Sequence, residues 1–368
     1  MFAKRMKYLE SSGIRKMFEM AQKMKNPIDF SLGQPDFDVP EPVKKAAIDA
    51  IQTGRNRYSV TAGFPELREA IMDALSQEGV RPEAVMSVAG ASGGLVLAFL
   101  ALADECAEVL LTDPCFVTYG HLVRLTGAKL KWIDTYPDFR LTPKHLESAV
   151  EGGDSKIKQR ILLFNSPVNP TGVAYTVSEI KALAETSRRL GLQVISDEDY
   201  DRFCYDFPHE CWLKHDPNAI LVRSFGKTWG VPGWRAGYAA GPKEIIDQMT
   251  MLQQFTFVCV NTPSQWAAIE ALKTDVSPLI EAYQRKRDLV YEGLRGAYKM
   301  TRPQGAFYAF PEVPGGDAER FLNRCIEKEL LIVPGKFFSG RNTHFRISFA
   351  LDGETLKRGI EILVRIAR

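Results

Sequence analysis

Short apolar runs alternating with helix-length amphipathic stretches occupy the middle of this chain, and few folds accept that order. Glu108–Thr112 (EVLLT), Arg160–Phe164 (RILLF), Gln193–Ser196 (QVIS) and Ala219–Ser224 (AILVRS) are too short for helices and read as strands buried on both faces. Between them, Ser92–Ala103, Val117–Leu125 and Val177–Leu190 carry helical periodicity. Strand, helix, strand, helix predicts an α/β domain: a mostly parallel sheet flanked by helices. Such sheets hold ligands in the loops beyond the carboxyl ends of their strands. The residues directly after each run are therefore the first candidates for chemistry.

The C-terminal third has a different rhythm. A helical pattern runs from about Thr262 to Tyr298, followed by the strand-like Ala306–Phe310, a helix near Asp317–Glu329, the short runs Leu331–Val333 and Phe345–Phe349, and a closing helix from Glu354. This predicts a smaller α+β domain, and 368 residues exceed what one core usually serves. The expected division is 1–40 as an N-terminal segment packing on the small domain, 41–275 as the large domain and 276–368 as the small one. The 47 basic and 45 acidic residues nearly cancel, which argues against a nucleic-acid partner or a membrane-surface patch. No run of about 18 apolar residues is present to span a bilayer. The six cysteines show no CxxC pair and the five histidines are scattered, so neither a disulfide framework nor a metal site is expected. The basic N-terminus contains Glu10 and Glu19 and no long apolar core, so it does not read as a leader, and a cytoplasmic protein is expected.

Four constellations follow the apolar runs. After Ala219–Ser224 comes Phe225-Gly226-Lys227-Thr228-Trp229-Gly230-Val231-Pro232-Gly233-Trp234-Arg235. A lysine just past a buried strand sits on the rim of a sheet, the glycines let backbone approach a ligand, and Ser224 with Arg235 suits a phosphate group. After Arg160–Phe164 comes Asn165-Ser166-Pro167-Val168-Asn169-Pro170-Thr171-Gly172, a strong turn sequence whose Asn169 amide could also face a ligand. After Gln193–Ser196 comes Asp197-Glu198-Asp199-Tyr200. An isolated Asp here could be a helix cap. It could equally hold a pyridine nitrogen protonated, so that the ring acts as an electron sink, with Tyr200 bonding the ring's oxygen.

Upstream, Gly90-Ala91-Ser92-Gly93-Gly94 opens an apolar helix whose free N–H groups can bind phosphate. A dinucleotide loop starting at Gly90 would need glycine at positions 92 and 95, which hold Ser92 and Leu95. Phe116 is placed to stack on a flat ring or to fill core. Arg346, in the alternating run Phe345–Phe349, either faces solvent or clamps a carboxylate.

In order and spacing these residues resemble the class I/II aminotransferases, enzymes of fold type I that depend on pyridoxal 5′-phosphate (PLP). The likeness covers nearly the whole chain, from Ser31-Leu32-Gly33-Gln34-Pro35-Asp36-Phe37 through Tyr58 and Gly63-Phe64-Pro65-Glu66-Leu67-Arg68 to Arg346. The separations are family-like: 28 residues from Asn169 to Asp197, 30 from Asp197 to Lys227 and eight from Lys227 to Arg235. The resemblance implies that Lys227 is the Schiff-base lysine, Asp197 pairs with the pyridine nitrogen, and Asn169 and Tyr200 hold the ring oxygen. It further implies that Ala91, Ser92, Ser224 and Arg235 bind the phosphate, that Phe116 stacks on the ring, and that Arg346, helped by Gly33 and Asn169, takes the substrate carboxylate. Tyr58 would reach the phosphate held by the other subunit, so a homodimer with shared sites is implied.

The implied reaction moves an amino group from an L-amino acid to a 2-oxo acid, ping-pong, through pyridoxamine phosphate. The alternative is a PLP-dependent carbon–sulfur β-lyase on the same fold. Two positions depart from better-known members: Phe116 stands where some have Trp or Tyr, and Cys204–Pro217 matches no variant and is expected to bear on substrate preference. Arg15, Lys16 and Arg57 are candidates for a second cation. Ile14, Leu32 and Phe257 are candidates for an apolar pocket, which favours neutral or aromatic donors.

Overall fold

The structure, a computed structural model, describes residues 2–3, 6–7, 24–152 and 155–368. In chain order, strand β1 (Ile28–Asp29) precedes helices α1 (Glu41–Gln52) and α2 (Pro65–Gln77). Then follow β2 (Ala84–Val88), α3 (Gly90–Leu102), β3 (Ala107–Asp113), α4 (Val117–Thr126), β4 (Lys129–Asp134), α5 (Pro143–Val150), β5 (Gln159–Asn165), α6 (Val177–Arg189), β6 (Leu192–Asp197), β7 (Ile220–Ser224) and β8 (Gly237–Gly241). These strands form one seven-stranded sheet in the order β2-β8-β7-β6-β5-β3-β4. Only β8 runs against its neighbours. The chain is a mixed α/β protein built on a large, mostly parallel, helix-flanked sheet, as the apolar runs predict.

Alternate residues of the strands feed two cores, because successive side chains point to opposite faces. Leu110, Leu162, Phe164, Val194 and Leu221 pack with Trp212 on one face. Val109, Leu111, Ile161, Leu163, Ile195 and Val222 pack with α3 residues Leu95, Ala98 and Phe99 on the other. Helix α6 starts where its capping box predicts: Glu179 N–H reaches the Thr176 hydroxyl at 3.4 Å and Thr176 N–H reaches the Glu179 carboxylate at 2.8 Å.

The remainder comprises α7 (Lys243–Thr256), α8 (Thr262–Ala271), α9 (Ser277–Leu294), β9 (Tyr308–Ala309), α10 (Ala318–Glu327), β10 (Leu330–Leu331), β11 (Val333–Pro334), β12 (Phe345–Ser348) and α11 (Gly353–Ala367). A separate apolar cluster joins α9, α10 and α11 to the small strands and to Phe30 just after β1. β1 pairs in parallel with β10, which ties residues 28–29 to this C-terminal part.

Three expectations differ in detail. The helical pattern from 262 to 298 is two helices, because Pro278 has no N–H to give and sits in the first turn of α9. Asp275 holds the break by accepting Ser277 N–H at 2.9 Å. The run 306–310 contributes only Tyr308–Ala309, since Ala306 takes a positive φ of 53° and gives its N–H to Phe203 O instead. The run 331–333 is split at Ile332, with β10 pairing to β1 and β11 to β12.

Candidate active site

The carboxyl ends of β2, β5, β6 and β7 point the same way, and the register sets their last residues side by side. Asn165 lies opposite Asp197, Asp197 opposite Val222, and both Val88 and Ser224 opposite Gly237. Beyond this edge lies a cavity of about 740 Å³. Its wall brings together Gly33, Ala91, Ser92, Phe116, Asn169 and Asp197. Tyr200, Ser224, Lys227, Arg235 and Arg346 also line it. Of the residues the resemblance assigns to the cofactor and substrate, Tyr58 is the one that does not line it, with 83% of its surface exposed.

Lys227 reaches across the cavity and donates from Nζ to Gly33 O at 2.5 Å. Gly33 has to be glycine here: a Cβ would stand 2.7 Å from the Tyr308 hydroxyl. Asp197 is buried. Its Oδ2 accepts from Tyr119 Oη at 2.7 Å and its Oδ1 accepts Asp199 N–H at 3.3 Å, and neither partner is a cation. Burial, reinforced by the Asp199 charge, pushes its carboxyl up to about 7. A buried carboxylate in this position calls for a cationic partner, and a protonated ring nitrogen would supply one.

The opposite requirement holds at the mouth of α3. Gly90 begins the helix at a positive φ of 68°, and a Cβ there would lie 2.6 Å from Arg235 Nη2. The guanidinium thus lies beside Gly90 at the start of the helix, with hydrogen bonds to two carbonyls, Pro232 O at 2.8 Å and Ala89 O at 3.4 Å. A helix N-terminus, Ser92 and an arginine whose hydrogen bonds go to carbonyls form an anion cradle. Arg346 is a second cation of this kind. It is buried, donates to Ser31 O at 2.7 Å and Asn169 Oδ1 at 3.1 Å, and leaves its Nε unpaired. Its guanidinium lies 4.4 Å from the Tyr308 ring, and burial draws its pKa down.

Asn169 sits in a turn whose Ser166–Pro167 and Asn169–Pro170 bonds are cis, and its N–H is held by Asn165 Oδ1 at 3.0 Å. Phe116 meets Tyr119 edge-on at 5.6 Å on the same wall. Tyr200 shares a 2.9 Å hydrogen bond with Tyr308. Among the wall residues that escaped the sequence reading are Tyr119, Asp199 and Tyr308. Tyr119 is three residues after Phe116 at the start of α4, a spacing that puts both on one helix face. Tyr308 comes from β9 and had no local signal.

The side chains between these positions turn to the back of the sheet. Glu198, next to Asp197, meets Arg223, next to Ser224, at 2.8 Å, and also binds His209 at 2.8 Å and Trp212 N–H at 3.0 Å. Arg223 continues to Glu78 at 2.9 Å. His209 is raised to about 10 by the Glu198 charge, against the opposing effect of burial. This network draws in the segment 204–217, no residue of which lines the cavity. The expectation that Cys204–Pro217 bears on substrate preference is therefore corrected: the segment buttresses the sheet behind the site. Of the candidate pocket residues, Leu32 lines the cavity, whereas Phe257 and Arg57 are exposed, and Ile14, Arg15 and Lys16 lie outside the described residues.

A rim lysine, a buried acid and an anion cradle at the carboxyl edge of a mostly parallel sheet are the parts that the resemblance to PLP-dependent enzymes of fold type I calls for. Comparison with known proteins narrows the class. Residues 25–363 match the family "Aminotransferase class I and II". The probable aspartate aminotransferase of Methanocaldococcus jannaschii is 33% identical over 100% of both chains. The aspartate/prephenate aminotransferase of Thermus thermophilus is 33% identical over 95% of this chain and 94% of its own. A solved structure, the aspartate aminotransferase from Thermus thermophilus with maleate, superposes with a TM-score of 0.92 at 32% identity, covering 100% of this chain and 99% of that one. The chain belongs to the class I and II aminotransferases, and it is a PLP-dependent transaminase acting between amino acids and 2-oxo acids.

Proposed function

We propose that the cavity at the sheet edge is the catalytic centre and that its residues divide the work as follows. Bound there, PLP supplies an aldehyde for an amine to condense with and a protonated ring that accepts the electron pair released at the substrate's Cα. Lys227 would hold the cofactor through its Nζ and would move the Cα proton at the same nitrogen. Asp197, oriented by Tyr119, keeps the ring nitrogen protonated. Asn169 and Tyr200 hold the ring oxygen, and Phe116 covers one ring face. Ala91, Ser92, Ser224 and Arg235 take the phosphate. Arg346 grips the substrate's α-carboxylate, with Asn169 as its own partner and Gly33 leaving room beside it. The observation that carries this assignment is that Lys227, the buried Asp197, the cradle residues and Arg346 all line one cavity.

Within this activity we take neutral and aromatic amino acids as the preferred donors. Leu32, Phe116, Val117 and Tyr119 give the cavity an apolar side, and the cations on its wall among the described residues are Lys227, Arg235 and Arg346, each already assigned. Mixing the enzyme with single donors and no acceptor tests both points. The expected result is one equivalent of 2-oxo acid per site without free ammonia, fastest for aromatic or neutral donors. Aspartate as the fastest donor would overturn the donor class, and continuous ammonia release from cysteine-type donors would replace transamination with β-elimination.

We further infer a homodimer in which Tyr58 completes the phosphate site of the partner subunit. Its side chain stands exposed and outside its own cavity, where a partner subunit can be reached. Hybrids that combine a Tyr58→Ala, Lys227→Ala subunit with a wild-type subunit check this. If the site is shared, the hybrid's wild-type Lys227 works beside a missing tyrosine and loses cofactor about tenfold more readily. A hybrid with half the wild-type activity and unchanged cofactor retention would exclude the shared site. The division into 1–40, 41–275 and 276–368 is kept, supported by the separate apolar cluster around α9–α11 and by the break before α9. Six free cysteines support residence in the reducing cytoplasm.

A further inference from the structure

The phosphate cradle contains one group that works against an anion. Asp199 lines the cavity two residues beyond Asp197, and its Oδ1 accepts the hydroxyl proton of Ser224. A serine hydroxyl has a single proton to donate. Ser224 Oγ spends it on Asp199 and accepts Gly226 N–H at 3.1 Å. With Asp199 ionised, Ser224 therefore has no proton left for a phosphate oxygen, and a dianion would in addition face the charge of Asp199. Two negative groups cannot share one small site without one of them being neutralised.

On the strength of the cradle assignment, we propose that phosphate binding at this site takes up one proton on Asp199, which releases the Ser224 hydroxyl to donate to the phosphate. The proton comes from solvent. The Asp199–Ser224 hydrogen bond then reverses, with the carboxylic O–H donating to Ser224 Oγ and the serine proton turning to the phosphate oxygen. The charges facing Asp199 are those of Lys227 and Arg235, which favour its ionised form, and of Asp201 and Asp197, which oppose it. Burial already pushes the Asp199 carboxyl up from its usual range. A bound dianion pushes it further the same way, so the bound state holds the proton to higher pH than the free state. Affinity for the phosphate consequently falls as pH rises through that window.

The test uses pyridoxamine 5′-phosphate, which cannot bond to Lys227, binding to the full-length cofactor-free chain, with pyridoxamine as the control. At pH 8 the phosphate is already dianionic, its second pKa being about 6. Calorimetry in two buffers of different ionisation heat is expected to show close to one proton taken up per phosphate ligand bound, and none attributable to phosphate in Asp199→Asn. The affinity advantage of pyridoxamine 5′-phosphate over pyridoxamine should shrink by up to about tenfold per pH unit between pH 7.5 and 9 in the wild type and stay flat in the variant. Should Asp199→Asn fail to fold, Ser224→Ala serves: it should lose affinity at pH 7.5 and almost none at pH 9. Tighter binding of the phosphorylated ligand with no proton uptake, or with equal uptake by Asp199→Asn or by the pyridoxamine control, overturns the coupling alone. Equal affinity for both ligands overturns the cradle and the coupling together.

Discussion

Replacing Lys227 with alanine is expected to abolish turnover and the near-visible absorbance of the bound cofactor together. The single amine that crosses the cavity to Gly33 O at 2.5 Å is lost, and with it both the covalent hold on the cofactor and the base for the Cα proton. The proton transfer alone contributes on the order of 10²–10⁴ in rate. Phosphate and ring contacts remain, so the variant should still take up cofactor and shift its colour when a donor is added. Steady-state kinetics with absorbance spectra of the same sample check both parts. Turnover within tenfold of wild type would remove Lys227 from the chemistry.

Replacing Asp197 with alanine should produce the second-largest loss, on the order of 10²–10³ in kcat, the usual cost of deleting one well-placed electrostatic group. Folding stability should move the other way or not at all. Asp197 is a buried carboxylate whose two hydrogen-bond donors, Tyr119 Oη and Asp199 N–H, are uncharged, and removing such a group relieves a desolvation cost. A cofactor-free Asp197→Ala protein that melts no lower than the wild type, yet turns over hundreds of times more slowly when loaded, is the expected pair of results. An equal loss of both would mean that Asp197 serves the fold. Tyr119 is the positioning residue here. Its 2.7 Å hydrogen bond favours the ionised form of Asp197, which burial disfavours.

Strands β3, β5, β6 and β7 were legible because each is a bounded apolar run, and the site followed from them because ligands gather at carboxyl ends. β4 (Lys-Leu-Lys-Trp-Ile-Asp) alternates charged and apolar residues and was not read as a strand. β8 (Gly-Tyr-Ala-Ala-Gly) was not legible. It lacks branched residues and owes its place to the strands on either side, β2 and β7. Lys227, Asp197 and Asn169 announced themselves by following strands directly. Asp199 did not, since two residues past a strand end an acid reads as a turn former, and only the tertiary contact with Ser224 shows its side. Tyr308 meets Tyr200 across 108 residues of sequence, a pairing no local pattern encodes. The segment 204–217 misled for the same reason: its anchor is the Glu198–Arg223–His209 network, assembled from neighbouring strands on the far face of the sheet.

Reduction of the loaded enzyme with borohydride, followed by peptide mapping, bears most directly on the central assignment. Reduction fixes the cofactor to whichever amine holds it. The account predicts one stable adduct, on Lys227 in the stretch Ser224-Phe225-Gly226-Lys227-Thr228. An adduct on another lysine, or none from an enzyme that still turns over, would contradict it.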